Sequence, residues 1–240
     1  VVDDNRGRRI FGAHWAFAAF FAGVAGYHLV TLITTAAVTH PSGDDDPVEL
    51  LAGPGLLLSF VPNLVLGLSP VLGSVRFGFG LDRDFGLRPH WRDVRIGLAC
   101  GALALVVGYL LNLGVLAVYG GDDVSDSPLT DLPDVSDGSS RWLAAAAAVL
   151  VIAVPITEEL LVRGALWNGL AHHRVPPWVV LALTAFVFAL IHGESTRVIA
   201  LFGQGLVLGL ARYRSGRTAA SVIAHATNNL PPAVLLFTGH

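Results

Sequence analysis

The sequence predicts an all-α, polytopic integral membrane helical bundle of about seven transmembrane helices. Three observations carry that prediction. Of 240 residues, 53% are apolar and only 14% charged, where an ordinary soluble domain carries about a quarter charged residues. The apolar residues gather in seven runs, and at roughly 20 to 25 residues per span plus short loops a chain of this length supplies about seven or eight spans. The basic residues sit almost entirely in alternate connections between those runs.

Taken in order, the first run covers about 10–38. It begins after Arg9 and reaches Val38, longer than the roughly 7 to 15 residue core of a cleaved signal peptide, so it reads as a retained span. The sequence has no Met even at position 1, which is consistent with a missing native start. The second run, 49–72, follows an acidic turn from His40 to Pro47. An Arg-containing loop, Gly73 to Val94, leads to the third, 95–118. An Asp-rich loop, Gly120 to Ser140, separates these from four closely spaced runs at 142–171, 177–192, 197–213 and 218–237. The chain thus divides into a three-span region, 1–141, and a four-span region, 142–240, within one structural domain. No internal repeat is evident, and Gly203, Gly205 and Gly209 read as close-packing positions between helices.

Arg placement orients the bundle, because positively charged loops stay cytoplasmic. Seven alternating spans put Arg6, Arg8, Arg9, Arg76, Arg83, Arg88, Arg92, Arg95, Arg174, Arg212, Arg214 and Arg217 on one side, Arg141 and Arg197 on the other, and Arg163 within a span. Twelve against two predicts a cytoplasmic N-terminus in a multi-pass protein of a prokaryotic cell membrane. Asp44 to Asp46 and the Asp residues between 122 and 137 then face outside and read as a solvated surface. An external calcium site there does not match the EF-hand spacing. The net charge of −3 and the absence of a concentrated basic stripe exclude nucleic acid as a partner. Cys100, alone, can form neither an intramolecular disulfide nor a Cys-based zinc site.

Polar residues inside the apolar runs carry the functional signal. Glu158 and Glu159 follow sixteen uncharged residues, Trp142 to Thr157, and an ionisable residue at membrane depth costs several kcal/mol unless it has a function or a partner. Glu159 and Arg163 are four apart on one helical face, in the favourable order for an ion pair. Glu158 points about 100° away, without a local partner. Pro155 is expected to kink this helix and free a carbonyl. His192 ends the fifth run, four residues after Phe188, and the seventh contains His225 and Asn229, again four apart. At about 1.5 Å per residue from the cytoplasmic ends, Glu158 lies roughly 20 Å deep, His192 22 Å, His225 11 Å and Asn229 17 Å. Three helices thus bring polar groups to overlapping depths, which implies a shared, water-holding cavity.

The chemistry open to such a cavity follows from its groups. A carboxylate in an apolar wall can act as general base to a water. Histidines can orient that water, and His with Asn can stabilise an oxyanion. These suffice for amide hydrolysis without a Ser or Cys nucleophile. Glu158-Glu159-Leu-Leu-Val-Arg163, Phe188 to His192 and His225 to Asn229 also resemble, in that order, the EExxxR, FxxxH and HxxxN motifs of the CPBP family of intramembrane proteases, which includes the type II CAAX prenyl endopeptidases and the Abi proteins. The resemblance covers about Trp142 to Leu230, with a weaker match from Phe85 to Asp93.

The resemblance implies that Glu158 and His192 activate the attacking water, that His225 and Asn229 hold the oxyanion, and that Glu159 with Arg163 positions the helix. It also implies an intramembrane endopeptidase acting on a membrane-associated protein or peptide, a prenylated one being the family's best-known case, with membrane lipids as surroundings. No cofactor is favoured. Zinc is the alternative, with Glu158, His192 and His225 as three ligands of an open site, although HExxH is absent. Gln204 and Asn228 read as packing donors, Glu194 is left out of the site, and His14, His28, His40, His90, His172, His173 and His240 show no comparable convergence. Two other classes compete: a noncatalytic membrane binding or immunity protein of the same fold, and a proton-coupled carrier. No inverted repeat of interrupted helices supports the carrier.

Overall fold

The computed structural model describes residues 14–39, 53–120 and 140–238. Its regular structure is helical, with no strand among the described residues. Helix α1 spans His14–Thr39. A 3₁₀ segment, Gly53–Phe60, enters α2, Val61–Phe77, whose Pro62 suits a first turn where no N–H is needed. A short α3, Leu81–Phe85, lies in the Arg-containing loop, and α4 spans Trp91–Tyr119. Helix α5 runs through 140–172, followed by α6, Pro177–Ile191, α7, Val198–Ser215, and α8, Thr218–Thr238.

Each of the seven predicted runs therefore holds one long helix. By length and composition, four are apolar and long enough to cross a membrane: His14–Ala37, Leu57–Phe77, Trp91–Val118 and Arg141–His172. The 15 residues of α6 are apolar but shorter. Helix α7 ends in Arg212 and Arg214, and α8 carries two prolines and the polar residues of the third motif, which lowers their apolarity. Large apolar side chains such as Phe21, Leu32, Leu103 and Leu110 are exposed on α1 and α4, as helices facing lipid require.

Two boundaries differ from the sequence reading. Helix α2 continues to Phe77, and α4 starts at Trp91 rather than 95, because His90 and Asp93 cap it reciprocally, with the His90 N–H donating to Asp93 Oδ2 at 2.8 Å. The intervening loop is also tied down. Asp84 accepts from Ser74 Oγ at 2.6 Å, Asn168 Nδ2 donates to the Asp84 carbonyl at 2.6 Å, and Arg217 donates to the Arg88 carbonyl at 2.7 Å. Phe85 is buried edge-on against Trp15, closing this end of the bundle. The acidic stretches 44–46 and 122–137 lie outside the described residues.

Helix α5 is the central element, packing against α1, α2, α6 and α8, while α4 lies along α7 and α8. Small residues set the spacing. A Cβ on Gly101 would stand 2.6 Å from the Ala224 carbonyl oxygen, and one on Gly67 would stand 2.9 Å from Thr157 Cα. Glycine at 67 thus draws α2 against α5 one residue before the Glu pair.

The predicted disturbance at Pro155 takes the form of two π segments, Val149–Ala153 and Leu160–Leu166, flanking the α-helical Val154–Glu159. In the first, the Val154 N–H reaches the Val149 carbonyl, five residues back. In that register the next residue would serve the Leu150 carbonyl, and Pro155 has no N–H to give it. In the second, the Trp167 N–H bonds to Val162 and Gly164, and the Arg163 carbonyl instead accepts from Arg212 Nε at 3.2 Å and Thr218 Oγ1 at 3.4 Å. Such widened turns often mark functional positions.

Candidate active site

The two π segments bracket the Glu pair and turn its members in different directions. Glu159 and Arg163 are fully buried, Glu158 is 7% exposed and His225 4%. Glu159 Oε1 accepts from Arg163 at 3.0 Å and from His225 Nδ1 at 3.0 Å. The predicted Glu159–Arg163 ion pair is therefore present, and it extends across to α8 through His225. Arg163 further donates to the Gly205 carbonyl at 2.7 Å, which anchors α7 at a glycine where a Cβ would crowd Ala185. Its guanidinium also lies over the Phe188 ring, 4.6 Å from the centroid.

Phe188 is the spacer between the histidines. Its ring centroid is 4.6 Å from that of His192 and 5.6 Å from that of His225, so one buried aromatic from α6 holds both imidazoles in place. His192 Nδ1 lies 2.7 Å from the Phe188 carbonyl oxygen. A carbonyl only accepts, so Nδ1 carries the proton, and Nε2 of the neutral ring is an acceptor. That Nε2 stands 3.7 Å from Glu158 Oε2, too far for a direct hydrogen bond.

Glu158 does have a partner, though not on its own helix. Asn63 Nδ2 on α2 donates to Glu158 Oε1 at 2.9 Å, which leaves the buried Oε2 without a hydrogen bond. Asn63 is the site residue that the sequence reading missed. Its signal was the one used for the Glu pair, a polar side chain in an apolar run, but it lay outside the three motifs.

Asn229 has a definite partner as well. Its Nδ2 donates at 3.0 Å to the Leu150 carbonyl, the acceptor left over by Pro155. Asn229 Oδ1 is 3.5 Å from Asn228 Nδ2, and Asn228 Oδ1 accepts from Gln204 at 3.3 Å. The expected packing donors Gln204 and Asn228 thus continue an amide chain from Asn229 to α7. One N–H of Asn229 is committed to the backbone and the other remains for a further acceptor.

Of these groups, Asn63, Glu158, Phe188, His192, Gln204, His225, Asn228 and Asn229 border one cavity of about 590 Å³, while Glu159 and Arg163 lie behind its wall. The shared cavity expected from sequence is present. The depths inferred for α8 need correction, because Thr218 begins beside the Arg163 carbonyl rather than level with the end of α5, so His225 sits deeper than 218-based counting gives. Glu194 also borders the cavity, paired with Arg197 at 2.6 Å, at its rim and apart from the Glu pair.

Among the described residues no three His, Cys, Asp or Glu are grouped to hold a metal ion. The bonds of His225 Nδ1 to Glu159, of His192 Nδ1 to the Phe188 carbonyl and of Asn63 to Glu158 Oε1 leave His225 Nε2, His192 Nε2 and Glu158 Oε2 uncommitted, so these bonds by themselves are compatible with zinc ligation by that trio. Elsewhere, His14, His172 and His173 lie near one another at the ends of α1 and α5, outside this cavity.

Residues 140–231 match the family described as Type II CAAX prenyl endopeptidase Rce1-like. The chain is also 25% identical over 133 residues to the membrane-embedded CAAX protease MroQ of Staphylococcus aureus (strain USA300), an alignment covering 53% of this chain and 52% of the relative. The chain thus spans about half the length of the curated relative it matches. No solved structure matches it.

Proposed function

We propose that the chain is a CPBP-family protease, as the match of residues 140–231 to the type II CAAX prenyl endopeptidase Rce1-like family and the likeness to a membrane-embedded CAAX protease support, and that it hydrolyses a peptide bond within the membrane by glutamate-activated water, without a metal. The observation that carries this reading is Glu158 Oε2: buried, without a hydrogen bond, and facing His192 Nε2 across 3.7 Å. Both atoms are acceptors when Glu158 is ionised and His192 neutral. A water between them donates one hydrogen to each, which turns an oxygen lone pair toward a carbonyl carbon in the cavity.

In the forward step the water oxygen bonds to that carbon as one proton passes to Glu158. The carbonyl electrons move to its oxygen, and the free N–H of Asn229 stabilises that oxyanion, joined by the Nε2–H of His225 when that ring carries a proton on both nitrogens. When the tetrahedral intermediate collapses, the C–N bond breaks and Glu158 returns its proton to the departing nitrogen. The products are a carboxyl and an amine terminus, with the Glu158 carboxylate restored. Glu159 and Arg163 act one layer back, holding His225 and Phe188.

The test is purified protein in lipid against a library of quenched lipidated and unlipidated peptides. Cleavage that depends on Glu158 supports the reading, and CAAX-terminated, prenylated members of the library address substrate class. A folded protein that cuts none of the library would favour a noncatalytic binding role.

A further inference from the structure

The cavity occupies one half of the bundle only. Its lining begins at Ser59 in the 3₁₀ segment before α2 and reaches Leu66 on α2, on α4 it extends from Leu105 to Asn112, and on α8 it runs from His225 to Pro232. On α6 it reaches His192, and it continues over the turn carrying Glu194 and Arg197. On every helix this is the half away from the Arg-rich end. That opposite end is closed by the loop before α4, with Phe85 buried under Trp15, Asp84 tied to Ser74 and Asn168, and Arg217 tied to Asp82 and Asp93.

The charge pattern gives this end a side of the membrane. Arg76, Arg83, Arg88, Arg92, Arg95, Arg174, Arg212, Arg214 and Arg217 lie at the closed end, joined in sequence by Arg6, Arg8 and Arg9, whereas Arg141 and Arg197 are the two at the cavity end. Such an excess stays cytoplasmic. Trp91 and Trp178, both exposed at helix starts of the Arg-rich end, fit an interfacial aromatic belt there.

From these placements we infer that the cavity is entered from the extracytoplasmic side, and that its substrate is a peptide segment exported to, or anchored at, the outer face of the membrane. The inference rests on the peptidase reading for the word substrate only. A lipidated tail held in the cytoplasmic leaflet would meet the closed end.

Accessibility decides the side without needing activity. In a Cys100→Ser background, single cysteines are placed at Ser195 on the cavity turn, at Asn112 inside the cavity and at Arg88 on the closed end, and intact cells are treated with a membrane-impermeant maleimide. Ser195→Cys and Asn112→Cys are expected to label at least 10-fold faster than Arg88→Cys, which labels only after permeabilisation. Faster labelling of Arg88→Cys, or no labelling of Asn112→Cys from outside, overturns the inference. A second arm offers charged, impermeant quenched peptides to right-side-out and inverted vesicles. Cleavage confined to right-side-out vesicles supports the inference, and cleavage confined to inverted ones contradicts it. No cleavage in either vesicle, nor in detergent, rejects the peptidase reading and leaves the labelling result standing.

Discussion

Asn63 on α2 donates to Oε1 of Glu158 on α5 at 2.9 Å, across 95 positions of sequence. The bond fixes the carboxylate so that its other oxygen looks into the cavity. A hydrogen bond to a charged group contributes about 1.5–3 kcal/mol, so Asn63→Leu is expected to lower kcat by about 10- to 100-fold. KM should stay near wild type, because in the proposed mechanism the bond acts on the carboxylate that takes the proton and not on the peptide. Steady-state kinetics check this, and a change confined to KM would instead make Asn63 a substrate contact.

Gly67 makes that bond possible by bringing α2 within contact of Thr157. Gly67→Ala is expected to destabilise by about 1–3 kcal/mol through overpacking and to reduce activity with Asn63 intact. Gly114, where a Cβ meets nothing within 4 Å, is the control, and Gly114→Ala should leave activity unchanged. Thermal melts in detergent, paired with turnover, compare the two. Equal behaviour would remove the close approach from the account.

Glu159 and Arg163 are both fully buried and 3.0 Å apart. Removing either partner of such a pair leaves an uncompensated charge, at about 3–5 kcal/mol. Glu159→Gln and Arg163→Leu should each destabilise strongly, with the double variant costing clearly less than their sum. Additive effects in a double-mutant cycle would dismiss the coupling.

Pro155 and Asn229 form a second coupled pair through the Leu150 carbonyl. Asn229→Ala exposes that buried acceptor, at about 1–3 kcal/mol. Pro155→Ala restores a backbone N–H, so Asn229→Ala should cost less stability on the Pro155→Ala background. The activity lost with Asn229 should not return. Melting temperatures of the four proteins test the first statement and turnover the second.

The long helices were legible because hydropathy and Arg placement report directly on a lipid environment, and all seven apolar runs hold a helix. The Glu159–Arg163 pair was legible because four-residue spacing is local. The contacts of His225 with Glu159 and of Asn63 with Glu158 were not, since both depend on how separate helices are rotated against one another. Pro155 announced a freed carbonyl, but only the packed structure shows Asn229 taking it. The depth of His225 was misjudged because the start of α8 is set by Thr218 meeting Arg163, a contact without a sequence pattern.

Metal content separates the two chemistries the motifs allow. On the proposed metal-independent reading, the active protein is expected to contain less than stoichiometric zinc and to keep its activity after chelation and dialysis. Elemental analysis alongside activity checks this. Loss of activity on zinc removal, restored when zinc returns, would reverse the assignment.

The most direct test of the central claim is turnover by Glu158→Gln. Glutamine keeps the size and the possibility of a bond to Asn63 but cannot take a proton from water. Turnover should fall by a factor on the order of 10² to 10⁴, with expression and melting temperature near wild type. His192→Ala should lose a comparable amount, and the double variant should be little worse than either, as for groups acting on one water. A folded Glu158→Gln protein that cleaves peptide at the wild-type rate would contradict the account.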